Sequence, residues 1–221
     1  MTARTRGLRP LLPMALGLLV AGAGAGCSVG GTRGEGAVKT EAREVAAFSR
    51  IETSAGIDVR VTFAATPSLD VRAQENLLPL IVAEVQNDTL RLRSAHAYTT
   101  TERVEVILTT PSLTRLVLSG GSHGQIEDLQ AEDMELELSG GSRLDATGKA
   151  TNLTLGMSGG SAAGLQDLDA RIIKLDASGG SNASVRASGE VRGSASGGSR
   201  ITVLGEAALS VDMSGNSYVG S

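Results

Sequence analysis

Two histidines, one cysteine and a set of carboxylates are the side chains in this 221-residue sequence that could carry chemistry. His123 directly follows Ser122, which raises the question of a Ser–His nucleophilic pair. Such a pair needs the imidazole within reach of the hydroxyl and an acid behind it to orient the ring. Adjacent residues rarely point the right way for this, and no motif places the acid, so His123 reads as an exposed loop histidine. His96 and His123 lack a third ligand at a recognisable metal spacing. No catalytic, cofactor-binding or metal residue is assigned. Glu135, Glu137, Asp176 and Asp212 could lie on one outward face, near the spacing that paired carboxylates need for glycoside hydrolysis. Sugar sites usually add aromatic platforms, and the chain has two Tyr, two Phe and no Trp. A solvated acidic face is the expected reading. The alternative is an envelope glycan-binding module or polysaccharide-active enzyme working from that face.

Ser119-Gly120-Gly121-Ser122 has the look of a phosphate or calcium loop. Neither Lys nor a helix signal follows it, so it is no Walker or dinucleotide loop. The residues after its glycines are Ser-His, and in later copies Ser-Arg, Ser-Ala and Ser-Asn. A calcium β-roll needs Asp there. Ice-binding solenoids present Thr-x-Thr rows, which are absent. The tetrapeptide itself returns at 139–142, 158–161, 178–181 and 196–199, and once more as Ser214-Gly215-Asn216-Ser217. Its starts are 20, 19, 20, 18 and 18 residues apart. Periods near 20 residues are the mark of a solenoid.

The elements that must position these residues follow from the flanks. One residue before each first Ser stand Leu118, Leu138, Met157, Ala177, Ala195 and Met213. Three before stand Leu116, Leu136, Leu155, Leu175, Gly193 and Val211, and five before stand Thr114, Met134, Leu153, Ile173, Val191 and Leu209. The positions between are mostly polar or small, so each repeat brings an alternating strand into the tetrapeptide with its apolar side inward. A second inward pair follows it, as Leu144/Ala146, Ala163/Leu165, Ala183/Val185 and Ile201/Val203. Short strands joined by Gly-rich corners make one coil of a parallel β-helix of 18–20 residues per coil. A right-handed course is expected from the preference of parallel crossovers. Gly permits the sharp bend, and the Ser hydroxyl can bond a neighbouring backbone group or the Ser of the next coil.

Residues 48–111 also alternate like β-structure. Ile57, Val59, Val61 and Phe63 fall on one face, with Asp58, Arg60 and Thr62 on the other. Leu69 with Val71, Leu90 with Leu92, and Val104, Val106 and Leu108 repeat the pattern, and Asn87-Asp88 reads as a tight turn. Residues 75–85 carry a short helical stripe that Pro79 limits to a turn or two. Residues 47–112 are thus expected to form an N-terminal β region of the solenoid, and 113–221 the repeat β-helix.

Residues 1–26 read as a secretion signal: Arg4, Arg6 and Arg9, a short apolar run from Leu11 to Val20, then small residues. Cys27, the only cysteine, follows Gly24-Ala25-Gly26 and resembles the lipidated cysteine of a bacterial lipobox, although Gly24 stands where Leu is commonest. Multiple acylation of Cys27 would hold the chain on a membrane without a spanning helix. Residues 27–46 are Gly-rich and charged, and are expected to form a flexible tether. Loss of the three signal arginines takes the formal charge from −4 to −7. With no basic patch, nucleic acid is not an expected partner. Ser28 in place of Asp after the cysteine resembles Gram-negative lipoproteins of the outer membrane. Three sequons, at Asn87, Asn152 and Asn182, carry little weight in a bacterial setting.

Gly56-Ile57-Asp58-Val59, then Val71-Arg72-Ala73-Gln74-Glu75-Asn76-Leu77, then repeated Leu-x-Leu-Ser-Gly-Gly-Ser, together resemble the "putative auto-transporter adhesin, head GIN domain" family of bacterial exported proteins and lipoproteins. The resemblance runs over residues 48–217. It implies a right-handed parallel β-helix and supplies no catalytic residue. The expectation is a non-enzymatic, lipid-anchored envelope protein for adhesion or scaffolding. Its partners would be the membrane through its lipid, an envelope protein or glycan, and a second copy through the β-helix ends.

Overall fold

The computed structural model of the protein describes residues 31–220; the expected signal segment, residues 1–26, and Cys27 lie outside them. The described residues form a β-solenoid of about five turns. Its strands are β1 (Thr32–Arg33), β2 (Val38–Arg43), β3 (Arg50–Thr53), β4 (Asp58–Phe63), β5 (Ser68–Gln74), β6 (Ile81–Gln86), β7 (Thr89–Ser94), β8 (Tyr98–Thr99) and β9 (Glu105–Thr110). The repeat half supplies β10 (Arg115–Leu118), β11 (His123–Leu138), β12 (Arg143–Met157), β13 (Ala162–Ala177), β14 (Asn182–Ala195), β15 (Arg200–Leu204), β16 (Ala208–Met213) and β17 (Tyr218–Gly220).

The repeat half is parallel throughout, and its register matches the sequence alignment residue for residue. Leu118 pairs with Leu138, Leu138 with Met157, Met157 with Ala177, Ala177 with Ala195 and Ala195 with Met213. Of this column, all but Met213 are buried. The column narrows from Leu to Ala towards the C-terminal end, and Gly193 stands where Leu175 stood one coil before. A Cβ at Gly193 would lie 1.8 Å from the Leu175 carbonyl oxygen, so the coils close up there only because that side chain is missing.

The corners explain the motif. The serine at the fourth position of the five Ser-Gly-Gly-Ser copies points inward: Ser122, Ser142, Ser161, Ser181 and Ser199 are at most 1% exposed. A buried hydroxyl needs a partner, and each finds it three residues back. Ser122 Oγ donates to the Ser119 carbonyl at 2.9 Å, Ser142 to Ser139 at 2.6 Å, Ser161 to Ser158 at 3.0 Å, Ser181 to Ser178 and Ser199 to Ser196 at 2.8 Å. The first serine instead bonds along the axis, its N–H donating to the coil before, as Ser139 does to Leu118 at 2.9 Å. Ser therefore fills the fourth position because it closes the turn on itself within the volume left by the stack.

A further corner, invisible as a repeat, lies beneath the first. Ala55 and Gly56 have φ of 64° and 69°, matching Gly120 at 63° and Gly121 at 78°. Ile57 donates its N–H to the Ser54 carbonyl at 3.4 Å, as Ser122 does to Ser119. In this copy the inward fourth position is Ile57 rather than Ser.

The N-terminal half departs from a purely parallel coil. β2 runs antiparallel to β5, β5 antiparallel to β9, and β6 antiparallel to β7. The β6–β7 return is a tight turn through Asn87 and Asp88, whose φ values of 50° and 64° suit the mirror-image hairpin turn. The stretch expected to be a helical turn is a 3₁₀ turn over Leu78–Leu80, and β6 begins at Ile81. Pro79 sits in that turn, and burial of Leu77, Leu78 and Ile81 fixes the chain to the core instead of to a helix axis.

The expected tether is also revised. Within 27–46, Thr32–Arg33 pairs with Tyr98–Thr99 and Val38–Arg43 pairs with β5. β2 is exposed along almost its whole length, so no apolar period marks it in the sequence. Its order comes from the backbone ladder, from Lys39 against Glu75 at 2.7 Å, and from Arg43 donating to the Leu78 carbonyl at 2.8 Å. Asn76 holds the segment further, donating to the Arg33 carbonyl at 2.7 Å and accepting from the Glu35 N–H at 2.8 Å.

The last three corners differ from the first three. Gly120, Gly140 and Gly159 are followed by a second glycine with φ between 78° and 81°, whereas Gly180, Gly198 and Asn216 lie outside the left-handed region. There the next coil gains a bond, from Gly198 N–H to the Gly179 carbonyl and from Asn216 N–H to the Gly197 carbonyl, both 2.7 Å. Asn216 is thus accommodated because its position no longer needs glycine. Gly179→Ala, at φ 71° with Gly159 N only 3.1 Å from the new Cβ, is expected to cost about 1–2 kcal/mol. Gly180→Ala, with open space around it, is expected to change stability by less than about 0.5 kcal/mol. Thermal unfolding of the two variants compares them directly.

Candidate functional site

Strand alternation decides what the side chains of the corner can do. Ser122 turns inward and its hydroxyl is engaged by Ser119, while His123 begins the next outward column. His123 Nε2 lies 3.2 Å from Asp145 Oδ2 one coil on, and its backbone N–H donates to Asp58 Oδ1 at 3.3 Å. The serine and the imidazole therefore face opposite sides of the wall. His96 is an exposed loop residue whose carbonyl accepts from the Ser94 hydroxyl at 2.6 Å. Among the described residues no three His, Cys, Asp or Glu side chains gather as a metal site.

The acidic residues singled out by the sequence do share a face. Register places Glu137 next to Gly156, then Asp176, Ser194 and Asp212 in one column. Glu135 belongs to the neighbouring column with Arg115, Thr154, Lys174, Arg192 and Ser210. The face is thus mixed in charge, not acidic, because a basic column runs beside the acidic one. Arg115 reaches Glu135 at 3.3 Å and Glu137 at 2.9 Å, and Asp176 accepts from Ser194 at 3.0 Å. One guanidinium thus bridges two carboxylates on successive columns of the face.

The other broad outward face begins directly after the corners. One column runs His123, Arg143, Ala162, Asn182, Arg200 and Tyr218, and its neighbour runs Gln125, Asp145, Gly164, Ser184, Thr202 and Gly220. Small residues in the middle leave a concavity of about 270 Å³ between Arg143 and Arg200. No sequence motif marks it, since its members are 18 to 20 residues apart and meet only through the coil register.

A second feature missed in the sequence is the strap of β1 and β8 over the first corner. Tyr98 Oη donates to the Ala55 carbonyl at 2.8 Å. Burial, with the Asp58 carboxylate adding to it, raises the Tyr98 phenol above its usual value.

With this geometry in place, the chain can be set beside known proteins. Residues 47–207 match the family described as "Putative auto-transporter adhesin, head GIN domain". The chain belongs to this family. Solved structures share the fold at low identity. A "putative adhesin" from Bacteroides fragilis has a TM-score of 0.68 at 16% identity, with 86% of this chain and 98% of that chain covered. A "putative adhesin" from Parabacteroides merdae gives 0.56 at 15%, with the same coverage. A "putative lipid binding protein" from Parabacteroides distasonis gives 0.52 at 17%, covering 85% of this chain and 98% of that one. No curated protein matches the sequence. Membership of an adhesin family is consistent with adhesion or scaffolding and with an envelope or surface setting.

The Tyr98 strap is open to titration. The folded phenol holds its proton more tightly than the unfolded one, so its contribution is complete below pH about 10 and is lost as pH rises through the folded value. A spectrophotometric titration is expected to show one late-ionising phenol that disappears in Tyr98→Phe. Amide exchange at β8 should accelerate over the same range in the parent chain.

Proposed function

We propose that this is a lipid-anchored envelope protein whose β-solenoid presents repeated polar columns to a partner, acting in adhesion or scaffolding without catalysis. The observation that carries the reading is the character of the outward faces. They are regular in register, rich in Ser, Thr, Asn and charged groups, and Glu135, Glu137 and Asp176 are engaged by Arg115 and Ser194. A rigid repeating wall gives many weak, equivalent contacts, which suits attachment better than turnover. The catalytic alternative on Glu135 and Glu137 is opposed by the guanidinium that both of them bind.

Anchoring is assigned to Cys27, with the outer membrane as the membrane concerned, from the small residues before the cysteine and Ser28 after it. Among the described residues no helix is long and apolar enough to cross a membrane. Metabolic labelling with a fatty acid is expected to mark the parent chain and not Cys27→Ser; label that persists in the variant rules the anchor out.

Self-association belongs to the same proposal. Among the described residues β16 pairs on one side only, with β14, and Leu209 and Met213 stand 46% and 58% exposed on it. Sedimentation of the full chain is expected to show a concentration-dependent dimer that Leu209→Lys with Met213→Lys removes. A monomer at every concentration refutes the pairing.

A further inference from the structure

We propose that the trough between Arg143 and Arg200 binds an anionic oligosaccharide, a uronate-bearing chain lying along the solenoid axis. This names the ligand class for the adhesive reading and rests on it.

The trough is built by register. Arg143, Ala162, Asn182, Arg200 and Tyr218 succeed one another in the column that follows the corners, each one coil further on. Three steps separate the two arginines, about 14 Å at the spacing of parallel strands. Both side chains are exposed, and neither makes an ion pair among the described residues. That sets them apart from Arg115 on the other face, which two carboxylates neutralise. A free guanidinium offers a planar fork matched to a carboxylate.

Between the arginines the floor is small and mixed: Ala162, Gly164 and Ala183 alternate with Asn182, Ser184 and Thr202, and Asp145 stands at the near end. Amide, hydroxyl and carboxylate together supply the donors and acceptors that sugar hydroxyls take. Asp145 Oδ2 lies 3.2 Å from His123 Nε2, one coil back. The same carboxylate lies against Gly164, close enough that a Cβ there would be 2.3 Å from Oδ1.

Tyr218 supplies the remaining part. It is 51% exposed and follows Arg200 in the same column. Its phenol lies over Gly220, with Oη and Cζ 2.6 and 2.9 Å from where a Cβ at that glycine would sit. The ring is thus folded along the wall beside the second arginine, as a platform with an apolar body and a polar tip. Each coil advances about 4.8 Å, similar to the advance of one sugar in an extended chain. The path from Arg143 to Tyr218 therefore places sugar units in step with the coils.

Calorimetric titration of the full chain in detergent with a hexamer of galacturonate tests this. Saturable binding that weakens with salt is expected. Arg143→Gln and Arg200→Gln should each weaken it about tenfold, and Lys174→Gln with Arg192→Gln on the other face should not. The carboxyl-reduced hexamer should bind at least about tenfold more weakly than the acid, and Tyr218→Ala should weaken both. Absence of hexamer binding, equal binding of the reduced hexamer, full competition by inorganic phosphate, or unchanged binding in the double arginine variant each overturns the assignment. Adhesion of chain-coated particles to envelope fragments is measured in parallel. Adhesion that persists without hexamer binding refutes the trough alone, and its absence in the folded parent chain refutes the broader reading.

Discussion

In the repeat half of this molecule each coil is held by a buried hydroxyl closing a four-residue turn. The fourth serine must be small enough to leave room for the coils on either side. It must also be polar enough to satisfy the carbonyl that the turn brings inward. Once that turn is set, the strand before it and the strand after it leave the corner in fixed directions. Successive corners then stack within the reach of a backbone ladder. The apolar columns, the mixed face and the trough are consequences of that stacking. Each outward column is assembled from residues about 20 apart in sequence, and none would be neighbours if a corner slipped.

Much of the fold could be read from the chain because the corner recurs. Leu116, Leu118 and their counterparts fall inward by their distance from a serine, and the register agrees at every coil. The start of the solenoid was harder to see. Ala55-Gly56 adopts the same bend as Gly120-Gly121, but with Ile57 in place of the inward serine it offers no repeated string to recognise. β2 escaped for a different reason. A strand held by its backbone ladder and by Lys39, Arg43 and Asn76, with hardly any buried face, has no hydrophobic period to betray it.

The outward chemistry was less legible still. Glu135, Glu137, Asp176 and Asp212 were correctly grouped on one side of the wall. Their four negative charges are offset by three positive ones, Arg115, Lys174 and Arg192 in the Glu135 column, which becomes apparent only once the columns are laid side by side. The same holds for Arg143, Arg200 and Tyr218, whose proximity is a property of the register and not of any local motif. Spacing within one strand reports which face a residue takes; what stands next to it across the coils depends on where each corner and bulge falls.

The corner at Ala55-Gly56 has a consequence for how the chain is made. Its stacking partner, Gly120, lies 65 residues later, whereas every subsequent corner meets the next within 20. As the chain folds, β3 and β4 can pair with β7 and β9, but the edges that face β10 and β11 stay unmatched until the Ser119 corner is in place. After that each new coil needs only the one before it. Closing the long first loop is the costly entropic step, and growth beyond it proceeds by nearest-neighbour addition. Assembly is thus slow to begin and quick to continue.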